Sequence, residues 1–298
     1  MPFFVAWAIY SKYFQNQSFS FNAFILQIDE LKTSVFIILL ILSMFNWLIE
    51  AQKWRTILLT IEPISFSKAL KSVLAGLAVS QLFPNKTGEY IGRMAFVSDN
   101  NKIQAAVLSV WASMSQLIVT LVFGMVSLLF IHPLIDPSFI LICFIIFFVA
   151  ILMFLLLPIF STIFKKYAFY NYIKDFKQVG RQLILEVFFY SILRYFIFAI
   201  PYVFLIILMS ENAIDLPFYL VFFSVSCIYL LQTISPNFIF SDVLIRIAIP
   251  ALVFKDLIIF KNQIEYVPSL LIYLINVVIP MLIGTVIVLF YKFKKTTF

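Results

Sequence analysis

Apolar runs separated by short polar stretches make up most of the chain. A membrane-crossing helix needs ~20 predominantly apolar residues. The pattern predicts membrane segments at 33–47, 103–131, 138–164, 182–209, 216–234, 238–254 and 267–290. An apolar stretch at 2–14 is too short to cross and reads as the stub of a first helix that begins upstream; 15–32 reads as a polar loop. The span at 33–47 is expected to end in a polar turn, NWLIEAQKWR, over 46–55. There Trp47 and Trp54 with Lys53 and Arg55 fit an aromatic and basic belt at the cytoplasmic interface. Asn46, Glu50 and Lys53, spaced i, i+4 and i+7, share one helix face. That face reads as a solvated helix end, with the lining of a cavity as the alternative.

One stretch departs from the pattern. In QLFPNKTGEYIGR, residues 81–93, the helix-breaking Pro84 is followed by Asn85, Lys86, Gly88, Glu89 and Arg93. Irregular polar backbone at membrane depth persists only where it is buried in protein or lines a wet cavity. Ionisable side chains there are costly, so their default reading is functional. A helix opening after Pro63, at the Ser-Phe-Ser-Lys of 65–68, is expected to run to Pro84, and a second short helix to about Ser98. Ala75, Gly76, Ala78 and Ser80 are small enough for close helix contact. Gly88 lets backbone approach closely.

The arrangement recurs. Pro84-Asn85, Glu89 and Arg93 are matched by Pro236-Asn237, Asp242 and Arg246, with one extra residue between break and acid. An acid and an arginine four residues apart share a helix face and can pair. Ser235 before Pro236 fits an N-cap followed by proline at the first helical position. The helices restarting after each break would aim N–H groups at it, an anion site in itself. The predicted fold is therefore an all-α, polytopic membrane bundle of about six to eight membrane segments, two of them broken hairpins in an inverted repeat. It forms a single membrane domain over 1–298, with halves 1–164 and 182–298 joined by a basic connector, 165–181.

Composition agrees: 63% of residues are hydrophobic and 12% charged, against about 25% charged in a soluble domain. Two cysteines, Cys143 and Cys227, lie in apolar runs, and the single histidine, His132, has no partner ligands nearby in sequence. Neither a disulfide framework nor a metal site is expected, and no cofactor. The net charge of +7 reads as topology. Segments 51–71, 98–102, 164–181 and 292–298 hold thirteen of the 21 basic residues. The opposite loops hold Lys12, Lys32, Lys255 and Lys261 against seven acids. The positive-inside rule puts the first group, and the C-terminus, in the cytoplasm. The first hairpin then opens inward and the second outward, the inverted pairing in which transporters place substrate near the midplane.

NWLIEAQKWR, AGLAVSQLFPNKTGEYIGR and SVWASMSQLIVTLVFG resemble the lysylphosphatidylglycerol synthase transmembrane region family, the flippase-like membrane domain also found in the multiple peptide resistance factor. The likeness is strong over 46–124 and weaker afterwards. Pro84, Gly88, Glu89 and Arg93 match the family's distinguishing segment; Pro236 and Arg246 match it more loosely. The resemblance implies lipid translocation between leaflets of a bacterial cytoplasmic membrane. The soluble aminoacyl-transferase domain of the full synthase has no counterpart in this sequence.

A flippase moves a charged headgroup through a low-dielectric layer, where an unpaired charge is prohibitive. Asn85, Lys86, Gly88, Glu89, Arg93, Arg194, Asp242 and Arg246 are the expected headgroup path. The three arginines suit phosphate by their guanidinium geometry. The competing reading makes Glu89–Arg93 and Asp242–Arg246 plain internal salt bridges and pairs Arg194 with Glu186. Gln81, Gln116 and Gln232 read as hydrogen-bond glue between helices. Two other classes compete with a phospholipid or polyprenyl-lipid translocator: a scaffold for an envelope lipid or glycan enzyme, and a membrane-embedded transferase. No HExxH, GxSxG or nucleotide-binding glycine loop is present, so no catalytic residue is assigned and no enzyme activity expected. Expected partners are a membrane lipid and a lipid-modifying or glycosyltransferase enzyme, without nucleic acid.

Overall fold

The computed structural model describes residues 21–29, 31–131, scattered positions between 141 and 156, 180–211, 215–235, 239–254, 258 and 265–291. The described residues form helices and turns and no strand. In chain order the helices are α1 (Phe21–Asp29), α2 (Thr33–Leu58), α3 (Phe66–Ser80), α4 (Gly88–Met94), α5 (Lys102–Ile131), α6 (Arg181–Met209), α7 (Phe218–Ile234), α8 (Ile239–Phe254) and α9 (Val267–Phe290). Four helical stretches, Thr33–Leu58, Asp99–Phe130, Arg181–Met209 and Val267–Phe290, are long and apolar enough to cross a membrane. Leu129, Phe189 and Leu289 on them are exposed, which in a bilayer is lipid-facing surface. The chain is an all-α, multi-pass membrane protein.

Three elements depart from the sequence expectation. Part of the predicted polar loop is helical, because α1 turns Phe24 and Gln27 inward while Ile25 and Leu26 face out. The expected turn at 46–55 is not a turn: α2 runs unbroken through it to Leu58. Asn46, Glu50, Lys53, Trp54 and Arg55 are each paired inside the protein, so the helix needs no exit to water there. The belt there is likewise overturned, since Trp54 and Lys53 are fully buried and Trp47 nearly so. The helix after Pro84 also ends early, at Met94 rather than near Ser98.

The stub at 2–14, the connector 165–181 except its last two residues, most of the span at 138–164, Cys143, His132, Pro236, Asn237 and the basic C-terminal tail lie outside the described residues. Ser235 is described, and its hydroxyl donates back to Leu231 O at 2.7 Å. It stands as the C-cap of α7, and the start of the helix it was expected to cap lies outside the described residues.

The chain divides into two compact units. One comprises Met1–Met44, Thr120–Phe147 and Tyr195–Asn276; the other comprises Phe45–Val119, Phe148–Arg194 and Val277–Phe298. In the first, Phe123 stacks on Tyr195 with centroids 4.5 Å apart, and Phe130 stacks on Phe223 at 4.4 Å. A Cβ at Gly124 would sit 2.6 Å from Leu230 Cβ, so α5 and α7 meet at a distance only glycine allows. Tyr195 donates to Ser226 Oγ at 2.8 Å and Tyr229 to Phe198 O at 2.9 Å, satisfying buried hydroxyls. The last helix carries a π turn over Leu274–Val278, and Ser43 on α2 donates to the Ile275 carbonyl within it at 3.1 Å.

In the second unit, Ser65 caps α3 by accepting from Lys68 N at 3.3 Å. The chain then folds back on α3 as α4. The small-residue expectation is met: a Cβ on Gly88 would lie 2.3 Å from Val79 O, and one on Gly92 2.5 Å from Ala75 O. On the same helix, Leu74 O would be 1.9 Å from a Cβ at Gly284 of α9. With nothing bulkier than hydrogen at these points, backbones approach closely and gain packing unavailable to lipid. Beyond α2, the Glu62 carboxylate accepts from Ser98 N at 3.3 Å, from the Ser98 hydroxyl and from Asn101 Nδ2 at 2.9 Å. This ties the α2–α3 turn to the start of α5.

Candidate functional site

Glu50 lies on the face of α2 that also carries Asn46 and Lys53, and all three are buried, at 6%, 3% and 1% exposure. The solvated-end reading of that face is therefore wrong: the face is buried and its side chains are paired inside the protein. Glu50 Oε1 accepts from Arg93 Nη2 of α4 at 2.6 Å. Glu50 Oε2 accepts from Arg194 Nη1 of α6 and lies 3.3 Å from Lys53 Nζ. One carboxylate thus gathers three cations carried by three helices.

Each cation has a second partner. Arg93 Nη2 also bonds Glu89 Oε1, four residues earlier on α4, and its guanidinium lies over the Trp54 ring, 5.2 Å from the centroid. Arg194 Nε donates to Asn46 Oδ1 at 3.0 Å. Lys53 Nζ reaches Ser191 Oγ at 3.5 Å, and Ser191 lies 2.7 Å from Ser115 Oγ. The helices are cross-tied beneath: Trp54 Nε1 donates to Ser72 Oγ at 2.9 Å, and that hydroxyl donates to Arg93 O at 3.0 Å. Arg93 Nε is buried and makes no hydrogen bond among the described residues.

Among the described residues, three basic side chains here meet two carboxylates, Glu50 and Glu89. Counted over these five described side chains, the positive charges exceed the negative by one. Glu50 is eight residues from the end of α2, ~12 Å along the axis, and Arg194 thirteen from the start of α6, ~20 Å. Charge held that far along apolar helices is costly without a counter-charge. Arg93 is almost wholly buried, whereas Glu89 and Arg194 keep 23% and 17% exposure.

The second predicted pair is also formed, within the other compact unit. Arg246 Nε lies 3.2 Å from Asp242 Oδ1 on α8. Arg246 Nη1 donates to Gln232 Oε1 at 3.3 Å, and the guanidinium sits 4.4 Å from the Tyr273 ring centroid. Gln232 Nε2 donates to Ser269 Oγ at 3.4 Å, linking α7 to α9 as the glue reading expects. Here one cation meets one carboxylate.

The structure brings Glu89, Arg93 and Arg194 together in one unit, while Asp242 and Arg246 pair in the other. Asn85 and Lys86 form the turn after Pro84 in left-handed backbone, with φ of 50° and 59°. Asn85 is exposed there and Lys86 half-buried. Gly88 serves helix contact. The suggested Arg194–Glu186 pair is not formed: Glu186 accepts from Gln182 Nε2 at 2.9 Å, while Arg194 turns to Glu50 and Asn46. Gln81 reaches only its neighbour Ser80, at 3.3 Å. Restarted-helix anion sites are not supported at the first break, where α4 is a seven-residue helix preceded by a three-residue 3-10 turn. The residues missed as site members are Glu50, Lys53 and Asn46. Their i, i+4, i+7 spacing was the available signal, and reading a turn there hid it.

Among the described residues, no three His, Cys, Asp or Glu side chains gather so as to hold a metal ion. The family model described as the lysylphosphatidylglycerol synthase TM region matches residues 3–240. No curated protein matches the chain, and no solved structure does.

Proposed function

The chain belongs to the lysylphosphatidylglycerol synthase TM region family, and from that premise we propose that it translocates a phospholipid or polyprenyl-linked lipid between the leaflets of a bacterial cytoplasmic membrane, with its C-terminus in the cytoplasm. The observation that carries this reading is the positive excess around Glu50. A phosphate passing between Arg93 and Arg194 supplies the missing negative charge and meets planar donors suited to its oxygens. Glu89 and Glu50 hold the arginines when no lipid is there, which leaves the empty site one positive charge in excess rather than three. Arg246 offers a separate phosphate contact, with Asp242 as its resting partner. No residue is assigned a bond-making role, and the protein acts on lipid without enzymatic conversion. Partners are the lipid itself and the lipid-modifying or glycosyltransferase enzyme that makes or uses it.

Leaflet-resolved scrambling in reconstituted vesicles tests this. Wild-type protein is expected to move labelled lipid, and Arg93→Ala, if folded, to lose that activity. Product formation from the lipid would instead establish a membrane-embedded transferase, and neither activity would leave a scaffold.

A further inference from the structure

The Glu50 carboxylate gives one oxygen to each of two guanidiniums on different helices, Oε1 to Arg93 and Oε2 to Arg194. Two oxygens of a phosphate make the same bridge. Each cation around Glu50 also retains a second partner: Glu89 and the Trp54 face for Arg93, Asn46 for Arg194, Ser191 for Lys53. Withdrawal of Glu50 therefore strips no cation bare. Arg93 presents one more feature. Its Nη2 serves both Glu50 and Glu89, while the neighbouring Nε–H is buried without an acceptor among the described residues. The side-on fork of that guanidinium, Nε with Nη2, is thus only half used, and a carboxylate seated on Nη2 leaves a donor for which a larger oxyanion has an oxygen.

We propose that Glu50 is an internal stand-in for the headgroup phosphate: it bridges Arg93 and Arg194 in the empty site and yields them when the lipid anion arrives. This rests on the translocation reading and adds the residue that sets how tightly the headgroup is held. Glu50 is a positioning residue whose competition keeps occupancy brief. A site with no carboxylate bridging the two guanidiniums would bind the phosphate and keep it. Return of the carboxylate supplies the replacement bonds that let the phosphate go, so release gives the bridging bond back to both guanidiniums. No covalent step is involved.

The test uses full-length protein in lipid nanodiscs for binding and in vesicles for transport, with fluorescent phosphatidylglycerol and fluorescent polyprenyl phosphate as separate probes. Both probes carry the phosphate, and the two arms show which lipid supplies it. Glu50→Gln keeps the shape but has one acceptor oxygen, and is expected to bind the transported probe about tenfold tighter and move it more slowly by a similar factor. Glu50→Gln with Lys53→Met restores the wild-type charge excess, so tighter binding in that double variant assigns the effect to the freed guanidiniums. Glu50→Asp, which keeps the charge but withdraws the carboxylate by one methylene, should bind a few-fold tighter. It decides the matter where the glutamine variants do not fold. A merely structural Glu50 would lower binding and transport together. Unchanged or weaker binding in folded variants overturns the inference alone, as does tighter binding confined to the single glutamine variant. Wild-type protein that neither binds nor moves either probe overturns the translocation reading and this inference with it.

Discussion

Glu50 and Arg93 are forty-three residues apart in the chain and meet at 2.6 Å. The contact joins a long spanning helix to a short helix that exists only because the chain breaks at Pro84. It converts two side chains that would each be prohibitive at membrane depth into one tied network.

Arg93→Lys tests whether that network needs a guanidinium or only a charge. An ammonium on a flexible stem cannot keep the planar fork that serves Glu50, Glu89 and the Trp54 face together. The expected outcome is a protein whose thermal midpoint in detergent falls by only a few degrees while lipid translocation falls at least tenfold. Equal translocation by the lysine variant would reduce the site to a charge requirement.

Gly284→Val should be among the most damaging apolar changes outside the charged site. A Cβ there would meet the Leu74 carbonyl oxygen at 1.9 Å, so the α3–α9 contact must open. Overpacking of this sort costs roughly 1–3 kcal/mol, occasionally more, and should show as a lowered midpoint and poorer yield. Gly180→Ala is the control, because a Cβ there has nothing within 4 Å.

Most of the helix inventory was legible in the apolar runs, since length and hydropathy alone decide what can span a bilayer. The Glu89–Arg93 and Asp242–Arg246 pairs were legible too, because four-residue spacing on a helix is a local matter. The hub at Glu50 was not. Its partners come from α4 and α6, and no local rule says that Arg194 will choose a carboxylate 144 residues away over Glu186 on its own helix. The same non-local pairing explains why the polar run at 46–55 stayed helical.

Glu62 provides a pH-dependent test outside the spans. Burial alone would raise its carboxyl, but hydrogen bonds from Ser98 and Asn101, aided by Lys68, hold it below the ordinary value of 4.5. A lowered folded-state value means the charged form binds better in the folded protein. Its contribution is therefore complete above about pH 5 and is lost as the pH falls below 4.5 through the folded value. The midpoint difference between wild type and Glu62→Gln, followed from neutral to acid pH in detergent, should be constant and then shrink toward zero. A difference that grows on acidification would contradict the sign.

The Asp242–Arg246 pair allows packing and transport to be separated, because its charges balance within the pair. Removing one side of the ion pair is expected to be costly: Arg246→Met takes the guanidinium from the buried Asp242, and breaking such a pair costs about 3–5 kcal/mol. Removing both is different. Asp242→Asn with Arg246→Met leaves no buried charge, and exchanges of that kind are often neutral in stability. The double variant is therefore expected to unfold near the wild-type temperature, well above the single Arg246→Met variant. Its transport rate then reports on the second site alone. A pair that contacts the headgroup predicts a folded double variant with translocation reduced at least tenfold; a pair that only sets helix register predicts wild-type rates. The equivalent removal at the other site cannot be balanced so simply, since Glu50 answers to three cations. That difference is why the functional weight falls on Glu50 and Arg93.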